Sequence, residues 1–251
     1  MGKPRLAIFD FACCEGCQLQ IINMEEGIRD LLGVIEPVEW REASSDQSDE
    51  YDIALVEGSI TRPQDEERLK EIRRRAKILV ALGACATIGG VNRLKNLFDM
   101  DEVKGAVYGA AAGMPHLATQ PTKALAELVK VDVSIHGCPA SRREIGYVVR
   151  CLAAGLVPVA PSYPVCVECK MRETVCRFEY NEVCLGPITR GGCNAPCPAA
   201  GLWCFGCRGL VDDANVDAAR QMMERYGKTG ADLRGRIELF NSAEAARCPG
   251  L

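Results

Sequence analysis

Histidine is almost missing from this chain: its 251 residues hold two, His116 and His136. There is no Ser-His-Asp set, no P-loop and no G-x-G-x-x-G fingerprint. The usual machinery for hydrolysis, phosphate cradling and dinucleotide binding is absent, and the chain is expected to bind no nucleotide itself. Charge is balanced, with a formal net of -4 and no long basic run, so nucleic acid is not an expected partner. The acidic stretch 42–52 (EASSDQSDEYD) reads as a solvated loop. No window reaches the roughly 18 apolar residues of a membrane span. The best run, Ile78 to Val91, is short and rich in Gly and Ala. The N-terminus enters an apolar run at once, with no signal h-region and no twin-arginine leader. Leu6 stands where a myristoylation pattern needs Ser or Thr. A cytoplasmic protein is expected.

Cysteine, by contrast, is abundant: fifteen residues, twelve of which fall into three sets of four. In a reducing compartment disulfides are rare and paired cysteines read as metal ligands. A secreted disulfide scaffold would also be shorter and less apolar than this chain, which is 48% hydrophobic. Three metal centres with little else that could do chemistry point to a wire for electrons.

Residues 1–156 alternate between β and α patterns. Apolar runs at Leu6 to Phe9, Ile53 to Val56 and Ile78 to Leu82, and the alternation Val131, Val133, Ile135, predict strands. Helices are predicted over Gln18 to Leu32, closed by Gly33, over Pro63 to Ala76, and over Ala140 to Ala154. Strands alternating with helices imply an α/β domain with a parallel sheet covered on both faces. A linker with Pro158, Pro161 and Pro164 follows. The second region, 165–251, opens with a Cys-, Gly- and Pro-rich stretch to Gly209, expected to be too irregular for its own apolar core and cross-linked by metal instead. It ends in a predicted final helix over Asp213 to Tyr226, with Val216, Ala219, Met223 and Tyr226 inward.

Cys14 and Cys17 follow the first strand, Cys85 the strand ending at Leu82, and Cys138 the strand through Ile135. The carboxyl ends of parallel strands share one rim, where ligands bind in the crevice, so topology gathers these distant thiols. Gly16, Gly83 and Gly137 flank them and let backbone approach closely. Cys14 is preferred over Cys13 as a ligand because Cys14-x2-Cys17 is a chelating pair. Cys13 reads as a spare thiol nearby, Cys151 as a core residue, and Cys248 as having no role. The second region reads Cys166-x2-Cys169-x6-Cys176-x7-Cys184-x8-Cys193-x3-Cys197-x6-Cys204-x2-Cys207. Allotted by segment, Cys166, Cys169, Cys176 and Cys184 form one site and Cys193, Cys197, Cys204 and Cys207 another. A rival pairing joins Cys166 and Cys169 with Cys204 and Cys207 as a zinc-ribbon-like site. Spacing leaves both partitions open, and zinc as well as iron.

The motifs Cys14-Glu-Gly-Cys17-Gln-Leu-Gln, Val56-Glu-Gly-Ser-Ile60, Gly83-Ala-Cys-Ala86 and His136-Gly-Cys-Pro139 resemble the landmarks of [NiFe]-hydrogenase small subunits. Pro164-Val-Cys-Val-Glu-Cys169, Cys184-Leu-Gly-Pro-Ile-Thr-Arg-Gly-Gly-Cys193 and Cys204-Phe-Gly-Cys-Arg-Gly209 extend the likeness over nearly the whole chain. It is strongest to the δ subunits of cytoplasmic sulfhydrogenases and NAD(P)-linked bidirectional hydrogenases. The first domain alone also resembles the small cluster-bearing subunit of complex I, which lacks the eight-cysteine tail. The resemblance implies a flavodoxin-like domain with a proximal [4Fe–4S] cluster on Cys14, Cys17, Cys85 and Cys138. It implies a medial cluster on Cys193, Cys197, Cys204 and Cys207, and a distal cluster on Cys166, Cys169, Cys176 and Cys184. Cys166 and Cys197 stand where periplasmic relatives have His and, often, no cysteine. Pro139-Ala140 replaces the more usual double proline. Glu57 and His136 are expected beside the proximal ligands.

The function so implied is an electron relay without catalytic residues of its own. The Ni–Fe centre is expected in a separate large subunit, and FAD and NAD(P) in a diaphorase partner. Two other readings stand beside it: the same relay serving a heterodisulfide-reductase-type bifurcating complex, and a zinc-stabilised structural or interaction module.

Overall fold

In the computed structural model, which describes residues 2–246, the chain divides into two units, Met1–Pro158 and Val159–Leu251. Cys248 lies outside the described residues. The first unit is built on five strands: β1 (Arg5–Asp10), β2 (Glu36–Trp40), β3 (Ile53–Glu57), β4 (Ile78–Leu82) and β5 (Val133–Ile135). They run parallel in the order β2-β1-β3-β4-β5. This is the flavodoxin-like doubly wound order, whose switch point lies between β1 and β3. β3 is central and buried along its whole length, which is why it reads as a nearly unbroken apolar run. Alternation along β1 sends Leu6 and Ile8 to one face and Ala7 and Phe9 to the other. Helices α1 (Gly16–Ile22), α2 (Glu26–Val34) and α6 (Arg142–Ala153) cover the Leu6 face. α3 (Pro63–Arg75) covers the opposite face with Leu69 and Ile72. Between β4 and β5 lie α4 (Gly83–Ile88), a 3₁₀ helix (Gly90–Leu97), α5 (Met100–Tyr108) and shorter 3₁₀ turns.

The predicted helix over Gln18 to Leu32 is two helices, broken around Glu25, whose φ is 55°. The apolar period runs through the break because Ile21, Met24, Ile28 and Leu31 all pack on the same sheet face. Leu32 is exposed, and α2 continues past Gly33 to Val34. β2 escapes prediction. Its sequence, Glu-Pro-Val-Glu-Trp, buries only Trp40, and a strand containing proline is tolerated at a sheet edge, where this one lies. Cys151, half-buried on α6, is outside the main core cluster.

The second unit holds α7 (Val165–Met171), the single turn α8 (Pro196–Ala199), α9 (Val216–Arg225) and α10 (Gly230–Ala245). The stretch to Gly209, expected to be too irregular for an apolar core of its own, shares one with the helices that follow it. Val165, Phe178, Leu185 and Ile188 pack with Ala219, Met223, Leu233 and Ile237, and buried Cys184 and Cys204 lie among them. The two C-terminal helices supply the apolar surface that 165–209 lacks. Asp213 to Tyr226 is therefore not the last helix. α10 is hidden in sequence because Asn241 and Ser242 interrupt its apolar stripe, yet both are buried, at a kink where Asn241 leaves helical geometry. Tyr226, expected inward, is instead at the rim and stacks on Phe178.

α10 starts with a reciprocal cap. The Thr229 hydroxyl accepts the N–H of Asp232, and the Asp232 carboxylate accepts the N–H of Thr229. Thr229→Ala should cost about 0.5–2 kcal/mol, read as a lower thermal unfolding midpoint with unchanged metal content. Among the described residues no helix is long and apolar enough to cross a membrane.

Candidate metal centres

Asp10, Glu57, Leu82 and Ile135, the last residues of β1, β3, β4 and β5, stand in register in one row. The loops leaving that row are tied together. Ala12 and Ser59 exchange backbone hydrogen bonds at 3.2 and 3.0 Å, and the Ala84 N–H donates to the Gly137 carbonyl at 2.7 Å. Cys14, Cys17, Cys85 and Cys138 emerge from these loops. Cys17 is buried in the first turn of α1, Cys85 is half-buried in α4, and Cys14 and Cys138 are exposed.

Cys85 and Cys138 each feel the charge of Cys14, Cys85 feels that of Cys138, and Cys17 feels that of Cys138. Burial pushes the Cys85 thiol up to about 12, and the negative charges of Cys138, Cys14 and Glu57 push the same way. Cys138 is raised by burial and then by Cys14 and Glu57. Cys17 is raised by burial and Glu57, and held down in part by the Ala140 N–H, 3.5 Å from its sulfur. Four thiolates in such a place would repel each other, and a cationic core between them removes that cost. Space is reserved as well. A carbon added at Gly83, whose φ is +82°, would lie 2.4 Å from Cys17 Sγ, so only glycine leaves room for that sulfur.

Glu57 closes the site from below. Its carboxylate is 2% exposed and accepts the backbone N–H groups of Cys17 at 3.0 Å and Gln18 at 3.1 Å. Burial raises its pKa, opposed by those hydrogen bonds. Asn92 braces the other side, donating to Ala12 O at 2.8 Å and Ser59 Oγ at 2.9 Å, with Cys85 Sγ at 3.9 Å. Nothing in the sequence singles out Asn92, because a lone asparagine after a Gly-Gly turn has no signature. Cys13 is half-buried, and burial followed by Glu57 pushes its thiol up to about 12; Cys85 is also among its neighbours. His136 is half-buried at the end of β5, two residues before Cys138.

In the second unit one cavity is lined by Cys166, Cys169, Cys176 and Cys184, with Lys170, Phe178, Gly186 and Pro187 among its walls. Burial, then Cys184, Cys169 and Cys176, push the Cys166 thiol up to about 12. Gly186 is the close-approach residue here: a carbon on it would lie 3.1 Å from Cys166 Sγ and 3.5 Å from Cys184 Sγ. The Cys184 sulfur accepts the Cys204 N–H at 3.2 Å. The remaining cysteines pair locally. Cys197 raises the Cys193 thiol, after burial and Glu168, and Cys207 raises Cys204, after burial and Cys184. The loop that carries Cys193 is held by Glu168, whose carboxylate accepts the N–H groups of Gly192 and Asn194 at 2.7 and 2.8 Å. In sequence Glu168 gives no signal, reading as the variable residue between two cysteines. Among the described residues, no three His, Cys, Asp or Glu donors close on one point tightly enough to grip a single metal ion.

With that geometry in view, comparison with known proteins gives consistent likenesses. Residues 14–152 match the NADH ubiquinone oxidoreductase 20 Kd subunit family. The chain is 39% identical to sulfhydrogenase 2 subunit delta of Pyrococcus furiosus over 88% of its own length and 92% of the relative. It is 29% identical to a subunit of the vhu F420-non-reducing hydrogenase of Methanocaldococcus jannaschii over 94% and 93%. Against the NAD-reducing hydrogenase HoxS subunit delta of Cupriavidus necator it is 31% identical over 55% of this chain and 73% of the relative. A crystal structure of an NAD+-reducing [NiFe]-hydrogenase in the H2-reduced state contains a chain that superposes with a TM-score of 0.58 at 27% identity. That match covers 64% of this chain and 96% of the other. In fold, 87% of the chain also follows 97% of a chain of the [NiFeSe] hydrogenase of Desulfovibrio vulgaris Hildenborough, with a TM-score of 0.55 at 19% identity.

Proposed function

From the premise that this chain belongs to the NADH ubiquinone oxidoreductase 20 Kd subunit family and is a hydrogenase subunit, we propose that it relays electrons through three [4Fe–4S] clusters. They connect a Ni–Fe site in a large subunit with an acceptor subunit. The observation that supports this best is the rim. Thiols from three loops leave it and feel one another's charge, and a glycine without which Cys17 would not fit stands among them. The proximal ligands are Cys14, Cys17, Cys85 and Cys138. The distal ligands are Cys166, Cys169, Cys176 and Cys184, and the medial ligands Cys193, Cys197, Cys204 and Cys207. When bound, such clusters take up and release one electron at a time.

The chain's own part is to hold and tune. Glu57 and Glu168 fix the backbone on which Cys17 and Cys193 ride. The N–H groups of Ala140 and Cys204 donate to the sulfurs of Cys17 and Cys184, which eases negative charge there and raises the potential. Apolar residues such as Val165, Phe178, Leu185 and Ile188 keep water from the second unit's interior. No bond to hydrogen is made or broken by a side chain of this subunit.

The zinc alternative would draw four sulfurs to about 2.3 Å from one centre, and metal analysis decides between zinc and iron. The two NAD-reducing relatives match 55% and 64% of this chain, about the share of the first unit alone. The sulfhydrogenase and F420-non-reducing relatives span the tail as well. The acceptor is a diaphorase-type partner in the first reading and a heterodisulfide-reductase-type partner in the second, and co-purifying subunits decide it.

The relay itself is tested by anaerobic purification. A brown protein with about twelve irons per chain is expected from three four-iron clusters; colourless protein with stoichiometric zinc refutes the relay. Cys197→Ser should alter or remove a single cluster signal in EPR and leave the other two. Loss of the signal that Cys17→Ser removes would show the ligands to be grouped wrongly.

A further inference from the structure

Two buried side chains of opposite charge touch the loop that carries Cys193. Glu168, 8% exposed, projects from α7 between Cys166 and Cys169. Besides the N–H groups of Gly192 and Asn194, its carboxylate accepts the Tyr163 hydroxyl at 3.3 Å and lies 3.8 Å from Cys193 Sγ. Arg208, 1% exposed, directly follows Cys207, and its Nε donates to the Gly191 carbonyl at 2.7 Å. Its guanidinium is pressed against the same loop, since a carbon on Gly192 would lie 2.5 Å from an Arg208 terminal nitrogen. Arg208 is the only buried basic side chain among the described residues. The loop 191–194 thus meets both an anion from the Cys166–Cys169 segment and a cation from the Cys204–Cys207 turn. In the first unit, Glu57 lies beneath Cys17 in the same manner, with no buried arginine or lysine among the described residues to oppose it.

We propose that Glu168 and Arg208 are opposed positioning residues that set the reduction potential of the cluster held by the Cys193 set. This rests on the relay reading above. Reduction adds one electron, and no proton, to a group already ringed by thiolates. A carboxylate at 3.8 Å from a ligand sulfur opposes that added charge, and a guanidinium on the same loop favours it. Because both charges are buried, salt screens them weakly. Glu168 therefore lowers the potential and Arg208 raises it.

The test is an EPR-monitored redox titration of the intact complex, with the signal assigned through Cys197→Ser. Glu168→Gln should shift that midpoint to more positive potential and Arg208→Met to more negative. Arg208→Lys should stay close to wild type, and the double variant E168Q/R208M should return towards it. The shifts should persist at high ionic strength. Shifts of the same sign in both single variants, or unmoved midpoints with iron retained, overturn the proposal while leaving the relay intact. If R208M sheds iron, E168Q and R208K decide: an unmoved E168Q midpoint overturns it. Wild-type protein without iron removes the relay, and this inference with it.

Discussion

Gly83→Ala is expected to empty the proximal site and leave the second unit's metal in place. The new carbon would lie 2.4 Å from Cys17 Sγ, far inside contact distance, and residue 83 holds a φ of +82° that only glycine adopts cheaply. The backbone strain is about 1–3 kcal/mol. The larger effect is steric. The Cys17 backbone is held by Glu57, so the clash falls on its sulfur, which must swing away from the proposed ligand position. On the proposed three-cluster reading, iron should fall from about twelve to about eight per chain. The EPR signals assigned to the tail should survive, as the second unit has its own core. Metal analysis with EPR on anaerobic protein checks it, and an unchanged iron count would mean that Gly83 does not shape the site.

Glu57→Ala should strongly lower the stability of the fold. It strips the acceptors from two buried N–H groups, those of Cys17 and Gln18, at about 1–3 kcal/mol each. Folded domains have about 5–15 kcal/mol in hand, so the loss is a large share of the total. Glu57→Gln should fall between the two, because its amide keeps one accepting oxygen but turns an NH₂ group towards the other N–H. Thermal unfolding followed by circular dichroism measures the order wild type, Gln, Ala. An exposed control, Glu50→Ala, should stay within about 0.5 kcal/mol of wild type. Were Glu57→Ala as mild as that control, Glu57 would be no clamp.

The first unit is largely legible in sequence because its elements bury one residue type each. Ile53 to Val56 and Ile78 to Leu82 are apolar runs in a sheet covered on both faces. Once strand ends are placed, the rim cysteines follow from topology. β2 is not legible because an edge strand needs little burial, and its single core residue, Trp40, makes no pattern. The break around Glu25 is hidden because two helices on one face share a stripe. In the second unit, burial of Asn241, Ser242, Glu168 and Arg208 defeats any reading that equates polar with exposed. Cysteine spacing suggests where sulfur gathers. The carboxylates beneath it, Glu57 excepted, become visible only with coordinates, since a glutamate between two cysteines is ordinary in sequence and unusual only when buried.

The kinked end of α10 has a consequence for biogenesis. Asn241 donates its side-chain N–H to the Gly206 carbonyl at 3.0 Å, and so fixes the turn between Cys204 and Cys207 from a point 35 residues downstream. While the chain is still emerging from the ribosome, that turn lacks its latch until position 241 is clear of the exit tunnel. The cysteines of the turn thus appear well before the contact that holds them in place. A nascent chain halted just past Cys207 would offer the cell's cluster-delivery machinery a loose loop rather than a finished socket.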